Sequence, residues 1–386
     1  MKIKSRPEDF VVEEVIDLPL VKGQAEYSVY RLTKRDANTL DVISDIARRF
    51  HLRRRDISYA GLKDRHALTT QFISIRGGGL WKIRAKNYEL EFIGRAHRPV
   101  GQSVLLGNRF RVVVRQISAD KRRIAEQRLP QIARFGFVNY YDSQRFSSAR
   151  HGRGFVAHRI ILGDYEGAAR LLFESSARDN SAERRFRRCV LSHWGDWLAC
   201  VHLAPSRWER RFLEKLARTS NNFRRALELV DRDFLFLLGT AYQAFLWNLA
   251  AKEFLRRHLP PERRFFHRFW RDQTLIFLRD PDGETLSELG EVRIPLPSPG
   301  ICLRDEIGEI YDEILRRQGI DGMEKFRTKI PGMVFKTALR DLIVVPQDLE
   351  FIWRDDATLE VACFLPKGSY ITMLLRQAFA PPGRKS

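Results

Sequence analysis

Cysteine is scarce in this 386-residue chain: Cys189, Cys200, Cys302 and Cys363 stand far apart, and are read as forming no CxxC pair and having no nearby histidine in ligand spacing. That spacing argues against a zinc site and against a disulfide framework. Neither GxGxxG nor Walker spacing occurs, so a nucleotide cofactor is not expected. The opening residues MKIKSRPEDF lack an apolar core of the signal-peptide kind, and no apolar run is read as approaching the length of a membrane span. The expectation is a soluble, cytoplasmic protein with no membrane partner and no metal. Repeats and low-complexity tracts are also missing, and acidic residues are in deficit.

That deficit is large. Sixty-eight Lys and Arg face 48 Asp and Glu, a formal charge of +20 in a chain whose 44% hydrophobic content is ordinary for a globular protein. Solubility alone, or life at high temperature, would be served equally by balanced charge. The excess points to a polyanionic partner, with nucleic acid ahead of an anionic membrane surface. Arginine outweighs lysine, which suits bidentate phosphate contact and stacking on bases. The length favours two domains.

Along the chain, Phe10, Val12 and Glu14 alternate after a basic start at Lys2, Lys4 and Arg6, and Tyr27–Leu32 alternate again. Asn38 or Thr39 caps a predicted helix with Leu40, Ile43, Ala47 and Phe50 on one face. A helix around Ile124–Arg134 is expected to break at Pro130. From about residue 155 the period becomes helical, with Asp164 and Ser206 as caps, a charged ERRFRR run at 183–188, and a long helix from Asp233 through Phe254. Residues 280–300 read as a Pro/Gly linker or irregular excursion. LEVACFLP then returns to strand, followed by a loop and helix. Strands, helices and strands again describe an α/β (α+β) protein with a mostly helical domain inserted.

Two stretches carry chemistry. YAGLKDRHALTTQ, residues 59–71, places Asp64 between Lys63 and Arg65 at a strand-to-loop junction. A carboxylate beside cations is expected to stay ionised, which suits a nucleophile or charge stabiliser more than a general acid. His66 invites a general-base role, though a structural one is the commoner fate of such a histidine. FVNYYDSQRFSSARHGRG, residues 137–154, interleaves aromatics and amides with arginines. Aromatic faces can stack on an unpaired base while Asn139, Gln144 and Arg145 bond its edge or a phosphate.

These residues resemble the TruD family of tRNA pseudouridine synthases. YAGLKDRHALTTQ and NYYDSQRFS (139–147) look like its two signature motifs; KSRPEDFVVEE (4–14), HRPVGQSVLLGNRFRVVVR (97–115), AYQAFLWN (241–248) and FLPKGSYITMLLR (364–376) follow the family in the same order. The resemblance implies a catalytic domain with a mixed, largely antiparallel sheet, made of residues 1–150 and 331–386, and an inserted TRUD domain at 151–330. It also implies cofactor-free isomerisation of a tRNA uridine, usually uridine-13. Asp64 matches the family nucleophile; Lys4, Phe10 and Asn139 match positions lining the uridine pocket. Lys63, Arg65, Tyr141, Gln144, Arg145 and Tyr370 complete the expected substrate-binding set, with tRNA as partner and a monomer favoured.

The chain departs from the family pattern where Tyr141 and Tyr370 stand at positions commonly Phe, and Asp142 at one often Gly. A phenol keeps the stacking face but adds a group that must be bonded if buried. These departures bear on substrate preference. A non-catalytic basic RNA-binding or RNA-chaperone protein would use the same charge without chemistry. A metal-dependent nuclease would call for clustered carboxylates, where the sequence offers one well-framed aspartate.

Overall fold

The computed structural model of the chain describes residues 1–149, 153–176, 179–270 and 273–381. Arg150, His151 and Gly152 of the second signature stretch lie outside them. The chain forms two compact units: one from both ends, Met1–Val138 with Val344–Pro381, the other from Asn139–Ile343.

The first unit is built on one mixed sheet. Its N-terminal strands are β1 (Phe10–Ile16), β2 (Tyr27–Arg35), β3 (Ile57–Tyr59), β4 (Leu68–Arg76), β5 (Lys82–Arg84), β6 (Tyr88–Ala96) and β7 (Leu105–Val114); Gln347–Asp355 and Thr358–Pro366 join from the C-terminal end. In spatial order, the two C-terminal strands are followed by β7, β1, β4, β2, β6 and β5, with β3 also on β4. Every pairing described is antiparallel except one. β1 and β4 run parallel, and only over Val11–Glu13 against Leu68–Thr70. Beyond those three rungs β1 continues with β7, while β4 continues with β2 through all nine residues from Leu68 to Arg76. The sheet therefore has two halves joined by a short parallel seam.

Helix α1 (Thr39–Arg49) covers one face. Asn38 caps it, its Oδ1 accepting from Leu40 N at 3.1 Å. Val42, Ile43 and Ile46 pack on Tyr30, Leu32, Ile73, Ile75 and Leu90. The buried stripe is thus shifted from the expected one, and Leu40 is 37% exposed. α2 (Ala119–Phe135) runs straight through Pro130 and ends at Gly136, whose φ is 82°. One proline removes one N–H, and the helix does not break there. α2 packs against the helix Ile371–Phe379, with Arg128 donating to Gln377 O at 3.0 Å.

The second unit is mostly helical around the 27-residue helix Arg232–His258. Contrary to expectation, this helix is long and apolar enough to cross a membrane by length and composition; 67% of the qualifying window is buried inside the protein, as befits a core helix. Its polar residues are bonded inward: Gln243 to Pro297 O and Lys336 O, Trp247 to Ile294 O, Asn248 to Tyr141. The expected linker at 280–300 holds a helix, Gly283–Gly290, and a short strand, Arg293–Pro295, paired with Leu339–Asp341. Asp282 supplies the helix cap, a role masked in the sequence by the surrounding Pro and Gly. Of the ERRFRR run, Phe186 and Arg187 are buried, and Arg187 pairs with Asp179 at 3.1 Å.

The cysteines overturn the expectation of no disulfide. Cys189 and Cys200 are bonded, Cα atoms 5.9 Å apart. The end of helix Ser181–Ser192 and the turn Trp197–Leu203 fold back on each other, which an eleven-residue spacing does not announce. His193, four residues after Cys189, places a ring nitrogen within 4.8 Å of both sulfurs, which overturns the expectation that no histidine stands near the cysteines in ligand spacing. With both sulfurs bonded to each other, only the imidazole remains as a donor there.

Candidate active site

Asp64 lies in the segment 60–67 between β3 and β4, and Lys4 in the segment leading into β1. Both therefore sit at the N-terminal ends of the strands that form the parallel seam. Lys4 Nζ meets Asp64 Oδ2 at 3.0 Å, the two side chains 22% and 23% exposed. Lys4 has φ of 61°, a left-handed backbone that a non-glycine residue holds at a cost of about 1 kcal/mol. Its ammonium also lies 4.1 Å from the centroid of the Phe10 ring. Phe10 is 2% exposed, with Phe110 edge-on at 6.3 Å, so its ring supports Lys4 from beneath.

The cation expected beside Asp64 from chain adjacency is engaged elsewhere. Lys63 reaches into the sheet and pairs with Glu14, whose side chain is fully buried. The other Glu14 oxygen accepts from Phe72 N at 2.9 Å. That bond replaces a ladder bond beyond the last β1–β4 rung, so the Lys63–Glu14 pair satisfies the sheet where its halves separate. Arg65 is exposed to solvent. His66 points to the surface, its Nδ1 2.8 Å from Asp36 Oδ1, which gives it a partner other than Asp64.

The Asp64 segment is held by polar side chains from below. Gln71 donates to Gly61 O at 3.3 Å. The Thr39 hydroxyl accepts from Lys63 N at 3.2 Å and lies 3.4 Å from Lys63 O. Lys34, entirely buried, donates to Asp64 O at 2.6 Å, Ala37 O at 2.9 Å and Lys63 O at 3.4 Å. Burial depresses its pKa from the usual lysine value to about 8, against the opposing field of Asp64. Sequence reasoning missed Lys34, yet a signal was present. It continues the alternation Tyr30, Leu32, Lys34, which puts a lysine on the core face of β2.

Tyr370 is half-buried at the N-cap of helix Ile371–Phe379. Its segment is tied to the start of the Asp64 loop: Lys367 Nζ donates to Gln102 O at 3.4 Å, and Gln102 Nε2 donates to Ala60 O.

The second signature stretch belongs to the helical unit. Asn139 is 4% exposed, and its amide is engaged at both ends, Nδ2 to Asp341 O at 3.1 Å and Oδ1 from Arg340 at 2.8 Å. Arg340 also donates to Asn139 O at 2.9 Å and lies 3.9 Å from the Tyr141 ring centroid. Tyr141's backbone is bracketed by Asn248, which accepts from Tyr141 N at 2.8 Å and donates to Tyr141 O at 2.9 Å. Asp142 is buried, and its Oδ1 accepts from Ser143 N. Gln144 is exposed and Arg145 half-buried. Arg340 and Asn248 are fixers of this stretch that a linear reading leaves apart from it.

Residues 1–378 match the TruD family model, described as tRNA pseudouridine synthase D. A protein of Methanocaldococcus jannaschii named as a probable tRNA pseudouridine synthase D 2 is 33% identical over 392 residues, covering 98% of this chain and 92% of its own. A tRNA pseudouridine synthase D of Aquifex aeolicus is 30% identical over 387 residues, 98% of each chain. A crystal structure from Methanosarcina mazei, described as that of the putative tRNA pseudouridine synthase D, matches with a TM-score of 0.67 at 25% identity over 98% of this chain and 93% of that one.

Proposed function

Because this chain belongs to the TruD family of tRNA pseudouridine synthases, enzymes that isomerise uridine in tRNA, we propose that it converts uridine-13 with Asp64 as the nucleophile. The reaction breaks the N1–C1′ glycosidic bond, turns the uracil and joins its C5 to C1′; C5 loses its proton and N1 gains one, so the proton count is unchanged. Reactant and product are isomers, so no group donor or redox partner enters the balance.

The Lys4–Asp64 pair at the seam carries this reading. A carboxylate can add to C1′ or to C6, or take the 2′ proton to open a glycal route. All three need one oxygen aimed at the sugar or base, and Lys4 keeps Oδ2 in a fixed place. Phe10 acts through Lys4, because its own face is already covered. The base must leave its stack to reach a carboxylate in the protein. Tyr370 and Arg65 are the side chains of this unit assigned to the flipped nucleotide and its phosphates, and Gln144 and Arg145 of the helical unit to the tRNA backbone.

The test is Asp64→Asn on unmodified tRNA transcripts, with pseudouridine mapped by carbodiimide. The expected result is a folded protein that still binds tRNA and forms no detectable pseudouridine. Isomerisation by this variant overturns the assignment of Asp64, and a wild-type signal at a position other than 13 overturns that of the base. Binding without any isomerisation by the wild-type protein would instead favour a non-catalytic RNA-binding role.

A further inference from the structure

We propose that Lys34 is a positioning residue of the isomerisation, which holds the backbone of Asp64 from beneath and must carry its proton to do so; this rests on the reading of Asp64 as nucleophile. A lysine at 0% exposure is rare, because taking an ammonium out of water is costly. No carboxylate oxygen is bonded to it among the described contacts. Its acceptors are three backbone carbonyls, those of Ala37, Lys63 and Asp64. Three N–H groups facing three carbonyls match an ammonium and no other state. The neutral amine has two N–H groups and a lone pair, and that lone pair would face a carbonyl oxygen. The bond to Asp64 O, at 2.6 Å, is the shortest of the three.

A methionine or leucine would fill the same position beside Leu32 and Tyr30 without the burial cost. The positive charge is placed instead below the one residue whose carboxylate must be aimed. Around Lys34 the field of Asp64 favours the ammonium and that of Lys63 opposes it. Lys63 is paired with Glu14, and Lys4 lies on the carboxylate of Asp64. Its ladder neighbours are Thr69 on β4 and Tyr88 on β6, whose phenol donates to Asp45 at 2.6 Å.

Two opposite pH effects follow from a pKa of about 8 inside the fold. Between that pH and the ordinary lysine value the unfolded chain binds the extra proton, so the burial penalty is full below about 8 and relaxes as pH rises through it; stability increases. Activity moves the other way, because the neutral amine releases one carbonyl of the loop. A purely structural lysine would link stability and activity with the same sign.

The experiment compares wild type, Lys34→Met and Lys34→Arg for kcat, KM and tRNA affinity from pH 6.5 to 9.5, with thermal melting alongside and Asp64→Asn in parallel. Lys34→Met is expected to melt cooperatively, bind tRNA within about twofold of wild type, and lose about a hundredfold in kcat, as a misplaced reacting group does. Its kcat should also lack the alkaline fall near pH 8 seen in wild type. Lys34→Arg, which stays charged, should keep more activity and move that fall upward. Uracil N3–H also titrates in alkali, but equally for every variant, so the difference between profiles is what is read. A folded Lys34→Met with kcat within about threefold of wild type overturns the proposal. If Lys34→Met fails to fold, the Lys34→Arg profile decides, and an alkaline limb unmoved from wild type overturns it. An inactive Asp64→Asn beside a fully active Lys34→Met removes Lys34 alone; an active Asp64→Asn removes the reading on which it rests.

Discussion

The two units fix their signature segments by different means. In the sheet unit the Asp64 loop hangs from Lys34, Thr39 and Gln71, and its neighbour Lys63 is locked to the buried Glu14. In the helical unit Asn139 and Tyr141 hang from Arg340 and Asn248, with Arg340 spread over the Tyr141 and Trp247 rings. Both use side chains to satisfy backbone that has left regular structure. The first relies on a lysine whose pKa burial lowers to about 8, the second on an amide, which does not titrate, and a guanidinium, which stays protonated through the same range. One grip is therefore proton-dependent by construction, and the other is not.

That contrast can be broken or sharpened by substitution. The largest cost is expected for Glu14→Ala, which leaves the Lys63 ammonium without its partner inside the sheet and Phe72 N without its acceptor; about 3–5 kcal/mol should be lost in denaturant unfolding. Asn248→Ala frees two backbone groups of Tyr141 and should cost about 2–3 kcal/mol, with no change in that cost between pH 7 and 9. A larger loss for Asn248→Ala than for Glu14→Ala, or a pH-dependent one, would reverse the comparison. The smallest effect belongs to Asn38→Ala, which removes the α1 cap next to Thr39; about 1 kcal/mol should disappear while the alkaline limb of activity stays where it is. If that limb shifts, the loop is sensitive to the whole helix start and the special place of Lys34 is lost.

Much of this was legible in the chain. The strand, helix, strand progression and the segment around Asp64 come from local patterns, and the caps Asn38, Asp164 and Ser206 stand where polar residues precede apolar periods. Other features were hidden for definite reasons. Pro130 looked like a break because propensity ignores the packing of α2 on the helix Ile371–Phe379. Asp282 was obscured as a cap because its neighbours are turn formers. The Cys189–Cys200 bond depends on a helix end meeting a turn, and linear spacing does not encode that meeting.

The sequence by itself determined the family, the mixed fold class and the place of Asp64, because each is written in contiguous motifs whose order survives without coordinates. Only the tertiary structure decided which cation serves which anion. Lys63 and Arg65, adjacent to Asp64, are drawn into the sheet and out to solvent, because the segment 60–67 is neither strand nor helix and chain adjacency there does not fix where side chains go. Lys4 and Lys34, sixty and thirty residues away, close on Asp64 from its side-chain and backbone ends. That assignment follows from the short parallel seam of β1 with β4 and the antiparallel register of β2 with β4, and strand register is a property of the assembled sheet.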